Sequence, residues 1–261
     1  MNLVLLFESD RIAGTNRFAV RDHRATHIRE VLRGQVGQEI RVGLLKGPRG
    51  FGTLVEIPPP EADAAVRSPP PVVLECTFEP GLEAKPRIDL CLAIPRPRIL
   101  RRIFAEVTAM GVDRLVLFRA RRTEKAYLSA RILEPEHHDP LLFEGLMQSK
   151  TTHPPEVRVA PAFKPFVEDL LPDLIRGAHG FIAHPEAHRP FRDIAVPADA
   201  RVVLVVGPEG GFIPYEIERL EDQGLGRVSL GPRILRVETA CVALLAALEA
   251  RRSPSHPPAT D

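Results

Sequence analysis

From residue 88 onward, runs of aliphatic residues alternate with segments of 3.6-residue apolar period, and this alternation restricts the possible folds more than any other feature of the chain. Residues 88–94, with Ile88, Leu90, Leu92 and Ile94, read as a buried strand. Ile99, Leu100, Ile103, Phe104, Val107 and Met110 then recur at helical spacing, and Gly111 follows as a stop. Further strands are expected at 115–118, 157–159, 180–184, 202–206 and 227–230, with helical segments at 129–149, 166–175, 215–223 and 238–251. Alternation of this kind predicts an α/β fold class, a mainly parallel sheet covered by helices on both faces. Such sheets place ligands at the carboxyl ends of their strands.

The first third of the chain reads differently. β-like runs at 3–7, 39–45 and 51–57 are separated by turns at Gly34, Gly37, Gly47 and Gly50, which suggests a small barrel or curled sheet. Between the first two runs, Ile28, Val31 and Leu32 fall at helical spacing, so they are expected to pack inward while Arg29 and Arg33 stay in water. Pro58-Pro59-Pro60 and Pro69-Pro70-Pro71 then bracket a polar, Ala-rich stretch. Proline runs hold an extended spacer and supply no ladder donors, so this stretch reads as a connector. The expected organisation is a domain over 1–70 that includes the Pro-rich linker, a second domain over 71–252, and a disordered tail at 253–261. A length of 261 residues suits two modest domains.

Lys and Arg total 35 against 34 for Asp and Glu, so the whole chain is no polycation and an anionic partner must be held by local patches. One patch stands out. Residues 85–125 carry eleven basic side chains, among them Arg96, Arg98, Arg101, Arg102 and Lys125, against only Asp89, Glu106, Asp113 and Glu124. A solvated helix face is the alternative reading of that excess. Cys76, Cys91 and Cys241 lie far apart with no CxxC pair, which disfavours a disulfide framework and a zinc site and points to a reducing cytoplasm. The opening apolar residues run straight into Glu8 and Asp10 without a basic segment, so no signal peptide is expected. The longest apolar stretch, 240–248, falls short of the ~20 residues a bilayer requires, so no membrane association is expected. His184 and His188 have an HxxxH spacing, but Pro185 interferes with a helix and no further ligands cluster there, so no metal is expected. His137 and His138 read as surface residues.

Two loops have the residue types that chemistry needs. The apolar run at 202–206 empties into Gly207-Pro208-Glu209-Gly210-Gly211-Phe212, and Pro214 opens a helix. Three glycines leave main-chain groups bare at a helix start, where a ligand can approach without meeting side chains; a plain strand-to-helix turn is the alternative. Neither GxGxxG nor GxxxxGK[ST] is present, so a classical dinucleotide or phosphate loop is not supported. The second loop is Leu230-Gly231-Pro232-Arg233-Ile234-Leu235-Arg236, which leads into Val237-Glu238-Thr239-Ala240. Its two guanidinium groups are not required by the fold, unless Arg233 or Arg236 merely pairs with Glu238 or Glu209.

Together these two loops closely resemble the paired signature motifs of the bacterial 16S ribosomal RNA uridine-N3 methyltransferases, members of the SPOUT superfamily. Weaker likeness extends over almost the whole chain: His27 to Arg33 is similar to the family's amino-terminal histidine motif, Met110-Gly111-Val112 to its glycine turn, and Gln148-Ser149 to its "EQS" stretch. Ala109 and Met147 stand where the common family pattern has glutamates, and Lys125 stands near a usual arginine. The resemblance implies a PUA-like amino-terminal β-barrel for RNA, a SPOUT methyltransferase domain with a carboxy-terminal trefoil knot, S-adenosylmethionine as methyl donor, and 16S rRNA or the small ribosomal subunit as partner. It also implies a homodimer through the carboxy-terminal domain, and the segment 240–248, apolar all the way round, needs cover on every side in any case.

With that reaction in view, His184, Gly207, Glu209, Gly210, Gly211, Leu230, Gly231, Ile234 and Leu235 are expected to hold the cofactor. Arg236 is expected to stabilise charge on the uracil oxygens, and Glu209 to orient a ligand group or accept the N3 proton. Arg29, Arg33, Arg96, Arg98, Arg101, Arg102, Lys125 and Arg233 are expected to meet RNA. Two rivals stay open: a non-catalytic RNA-binding protein of the same fold, with Ala109 and Met147 as signs of decay, and a generic nucleotide-binding α/β enzyme, which lacks its phosphate motif.

Overall fold

A computed structural model describes residues 2–59, 70–81 and 84–252, which form two compact units. The stretch between the proline triplets and the tail at 253–261 lie outside the described residues.

The first unit takes in residues 1–84 together with 146–154. Its sheet has five strands: β1 (Val4–Leu6), β2 (Arg17–Val20), β3 (Glu39–Leu44), β4 (Arg49–Glu56) and β5 (Val72–Phe78), in the order β1-β3-β4-β5-β2. β1 runs parallel to β3 and every other pairing is antiparallel. β2 and β5 were not marked by the apolar pattern, and β5 moves the boundary: the expected cut at 70 would part from the first unit a strand that pairs with both β4 and β2. A linear cut also misses that 146–154 returns here, where the Met147 carbonyl accepts from the amides of Asn2 and Leu3 and the Thr152 hydroxyl donates to Gly47 O at 2.7 Å. Arg24, buried, is matched by Asp10, Asp22 and the Leu5 carbonyl.

The helical turn after β2 also departs from expectation. α1 (His23–Thr26) continues as a π-turn over His27–Val31, with the Leu32 amide donating to His27 O. The longer repeat rotates the chain away from 3.6-residue spacing, so Ile28 is buried but Val31 is 66% exposed. Arg29 is not free in water either: its guanidinium donates to the carbonyls of Pro58 and Pro70. Arg33 is exposed.

The second unit, 85–145 and 155–261, is built on six parallel strands: β6 (Ile88–Ala93), β7 (Arg114–Phe118), β8 (Glu156–Ala160), β9 (His179–Ala183), β10 (Val202–Val206) and β11 (Gly226–Val228). Their order is β11-β9-β10-β6-β7-β8. The central strands β6 and β10 are buried along their whole length, which is why, Asp89 apart, they read as apolar runs rather than alternating ones. The helices are α2 (Pro97–Ala109), α3 (Pro135–Ser149, its last residues counted with the first unit), α4 (Phe163–Pro165), α5 (Leu171–Ile175), α6 (Pro214–Asp222) and α7 (Val237–Arg252). α2 buries Leu100, Ile103, Phe104 and Val107 as their spacing requires.

Two apolar clusters cover the sheet. One gathers Leu90, Leu92, Phe104, Leu204, Leu244 and Leu248 with their neighbours, the other Val116, Phe118, Phe166, Val203, Val205 and Leu220. His138 belongs inside, not at the surface: it is buried and stacks on Phe104 with ring centroids 5.0 Å apart. At the amino ends of the strands, Asp89, fully buried, takes Arg114 and Arg201 at 2.5 and 2.7 Å, and Arg201 also reaches Asp113. Arg114 is thereby removed from the basic patch. Among the described residues no helix is long and apolar enough to cross a membrane.

All three cysteines are free and buried. Burial pushes the thiols of Cys76 and Cys241 up to about 12, and Cys91 upward too. Since the thiolate is the reacting form, the folded protein is expected to leave all three unmodified by a thiol-disulfide reagent at mildly alkaline pH, and the denatured chain to titrate three thiols. Rapid reaction of a native thiol would contradict this.

Candidate functional site

The register of the parallel sheet aligns five strand exits. Ala183 and Leu92 both pair with Val206, Val228 pairs with Ala183, and Phe118 pairs with Ala93, so the segments that follow these positions emerge side by side. They border a cleft of about 1260 Å³, lined by His184 after β9, Gly207 to Phe212 after β10, and Leu230 and Gly231 with Arg233 to Glu238 after β11. Arg96 after β6 and Arg122 after β7 complete its wall. This is the carboxyl edge where an α/β sheet presents a ligand site.

The loop after β10 is fixed from below and from both sides. Phe212 lies parallel to Phe118, with centroids 6.3 Å apart, and Phe118 stacks on Phe166 at 4.0 Å. A Cβ at Gly207 would sit 3.1 Å from the Phe212 ring, so the small residue is what lets the loop fold over its own anchor. Gly211 has φ +71°, the left-handed region that glycine enters without cost. A Glu209 carboxylate oxygen accepts from the Arg96 amide at 3.1 Å, tying this loop to the exit of β6. The Gly210 carbonyl is not bare as expected: Arg122 Nη1 donates to it at 2.6 Å.

Glu216 carries out a second tie that the sequence reading missed. It is 1% exposed, and its two oxygens accept from the amides of Arg121, at 2.7 Å, and Ile213, at 3.1 Å. Ile213 cannot cap a helix with its own side chain, so a carboxylate one turn inside α6 reaches back to satisfy the orphan donor. A Glu three residues after the helix boundary, next to Pro214, was the available signal.

The loop after β11 has the opposite character. Ile234 is 85% and Leu235 37% exposed, while Leu230 is half-buried. Gly231 turns the chain at φ +116°. Arg233 and Arg236 are exposed, and among the described residues neither lies within ion-pair distance of a carboxylate, so the pairing with Glu238 or Glu209 is not made. Across the cleft, His184 Nδ1 accepts from the Glu186 amide at 3.3 Å, and the His184 amide donates to Val228 O.

The site residues expected from sequence thus separate into groups. His184, Gly207, Glu209, Gly210, Gly211, Leu230, Gly231, Ile234, Leu235, Arg233 and Arg236 come together in one cleft, joined by Arg96. Arg98, Arg101 and Arg102 are exposed on α2 and Lys125 is exposed in the turn after β7. Arg29 and Arg33 belong to the first unit. α7 is covered on one side by its own unit through Cys241, Leu244, Leu245 and Leu248, whereas Val242, Ala243 and Ala247 stay half-buried and Ala246 exposed.

Comparison with known proteins agrees with this architecture. The family model described as RNA methyltransferase domain matches residues 83–249. The ribosomal RNA small subunit methyltransferase E of Treponema pallidum is 26% identical, over 94% of this chain and 90% of that protein. The methyltransferase E 1 of Borreliella burgdorferi is 22% identical, over 93% and 95%. The crystal structure of ribosomal RNA small subunit methyltransferase E from Neisseria gonorrhoeae, bound to S-adenosyl methionine, shares the fold with a TM-score of 0.73 at 19% identity, over 95% of this chain and 97% of that one. With a cleft at the carboxyl edge of a parallel sheet and a family match across nearly all of the second unit, the chain belongs to the RNA methyltransferase domain family.

Proposed function

We propose that the protein transfers a methyl group from S-adenosylmethionine to N3 of a uridine in 16S ribosomal RNA. The carrying observation is the cleft itself, where main chain freed of side chains at Gly207 and Gly211 faces the exposed apolar Ile234 and Leu235 beside an arginine with no carboxylate partner among the described residues. Exposed aliphatic side chains on a cleft wall suit the flat face of an adenosyl group, and main chain without side chains at the glycines suits its polar edge, so the residues present fit the donor. When bound, the donor supplies an already activated methyl group.

The chain's task is then alignment and charge management. His184, Gly207, Glu209, Gly210, Gly211, Leu230, Gly231, Ile234 and Leu235 form the donor pocket. N3 lies on the pairing edge of the base, so the uridine must be unpaired before it can enter. Arg236 donates to the uracil oxygens as the N3 proton leaves, and Glu209, held through one oxygen by the Arg96 amide, orients the base or accepts that proton through the other. Arg29, Arg33, Arg96, Arg98, Arg101, Arg102, Lys125 and Arg233 hold RNA; Arg29 spends two of its five donors on the carbonyls of Pro58 and Pro70 and keeps the rest.

The finer architecture belongs to the same proposal. The five-stranded sheet supports a PUA-like amino-terminal module. A trefoil knot at the carboxy-terminal end is supported by the lacing of 184–191 with 228–229, where Ser229 donates to Arg189 O and accepts from the Phe191 amide. The small, half-covered face of α7 at Val242, Ala243 and Ala246 supports a homodimer.

Mapping N3-methyluridine in 16S rRNA from cells with and without the gene tests the activity, with loss of one modified position expected on deletion. Calorimetric failure to bind S-adenosylmethionine, with RNA binding intact, would instead favour the non-catalytic reading.

A further inference from the structure

We infer that Arg122, at the exit of β7, is an RNA contact of the site, holding a phosphate next to the methylated nucleotide; this rests on the proposed methyltransferase reading. Arg122 borders the cleft but matches nothing in the two signature loops. Its side chain lies along the glycine loop: a Cβ at Gly210 would come within 3.3 Å of Arg122 Cβ and Cδ, and a Cβ at Gly211 within 4.0 Å of Nη1. Nη1 donates to the Gly210 carbonyl at 2.6 Å. That bond uses one donor of five and anchors one end of the guanidinium. The residue is exposed, and among the described residues no carboxylate lies within ion-pair distance of it.

An anchored guanidinium with spare donors is a fork for an oxyanion. The methyl donor is a poor match, because its sulfonium and ammonium outweigh its single carboxylate. RNA supplies an oxyanion at every nucleotide, and Arg121 and Lys125 on the same exit and Arg96 on the neighbouring one after β6 extend the positive rim. Glu216 is the positioning residue of this arrangement. Buried and acceptor to the Arg121 amide, it sets where the next residue stands over the glycine loop.

The test uses the full chain with an unmodified 16S rRNA transcript and S-adenosylhomocysteine as separate probes. Arg122→Gln is expected to weaken RNA binding roughly tenfold and to lower the slope of log affinity against log salt by about one, with S-adenosylhomocysteine affinity unchanged. Arg122→Lys, which keeps charge but not the fork, should restore the salt slope and only part of the affinity. Glu216→Gln should raise KM for RNA more than it lowers kcat. An unchanged RNA affinity and slope in Arg122→Gln would overturn the assignment, and so would a loss confined to S-adenosylhomocysteine, which would place the donor's carboxylate there instead. Failure of the wild-type chain to bind S-adenosylhomocysteine would strike the methyltransferase reading itself, an outcome separate from any difference between variants.

Discussion

Arg236→Ala is expected to slow single-turnover methyl transfer about 10²–10³-fold while changing S-adenosylhomocysteine affinity less than about twofold. The guanidinium stands at the cleft where the loop after β11 becomes α7, exposed and with no carboxylate partner among the described residues, so its removal leaves no orphaned charge and should not disturb the fold. What it removes is a donor aimed at oxygens that gain charge only as N3 loses its proton, and a preorganised donor of that kind is worth about 3–4 kcal/mol in the transition state. Glu209→Gln separates the two roles of its carboxylate. The amide oxygen still accepts from the Arg96 amide, so the loop stays tied to the exit of β6 while the proton acceptor is lost. A slow Glu209→Gln with intact donor binding would make Glu209 the base, and a near-normal rate would make it a loop tie only. Normal chemistry in Arg236→Ala would remove the proposed charge stabilisation altogether.

Asp89→Ala should produce the largest loss of stability, about 3–5 kcal/mol in the unfolding transition of the second unit. Asp89 is fully buried at the amino end of β6, and Arg114 Nη2 and Arg201 Nη1 meet its two oxygens. The Asp89 carboxylate raises the Arg114 pKa through their hydrogen bond, which marks the contact as favourable to the charged form. Without the carboxylate, two guanidinium groups face each other with only Asp113 left, bonded to Arg201. Denaturant titration of Asp89→Ala against Asp89→Asn checks this, since asparagine keeps an acceptor and should lose less. A midpoint for Asp89→Ala equal to that of the wild type would show the network to be dispensable. Because Asp89 lies at the opposite end of the strands from the cleft, the folded fraction of the variant should retain cofactor binding.

The second unit was legible in the sequence because its central strands are buried on both faces. Residues 90–94 and 202–206 are continuous apolar runs, and the period of Leu100, Ile103, Phe104 and Val107 matches the buried face of α2. The first unit was only partly legible. β2 and β5 pair with each other and β5 with β4, but neither is framed by a turn signal strong enough to mark it, and β5 follows a proline triplet that suggests a break. Val31 misled for a local reason: helical spacing assumes 3.6 residues per turn, and the π-turn over His27–Val31 does not keep it.

The site divides along the same line. Order along the chain was enough to pick out the loops at 207–212 and 230–236, because glycines next to strand ends and unneeded arginines are local features. Their convergence, and the part played by Arg122 and Glu216, depended on register, since Val206 lies beside both Ala183 and Leu92, and Ala93 beside Phe118, only once the strands have paired. Residue type and spacing therefore determined which elements form and which segments stay bare, as short-range sterics and burial write those directly into the sequence. Which carboxylate meets which amide was decided by the tertiary structure alone, because hydrogen bonds between residues about a hundred positions apart, such as Glu209 with Arg96 and Glu216 with Arg121, leave no periodic trace.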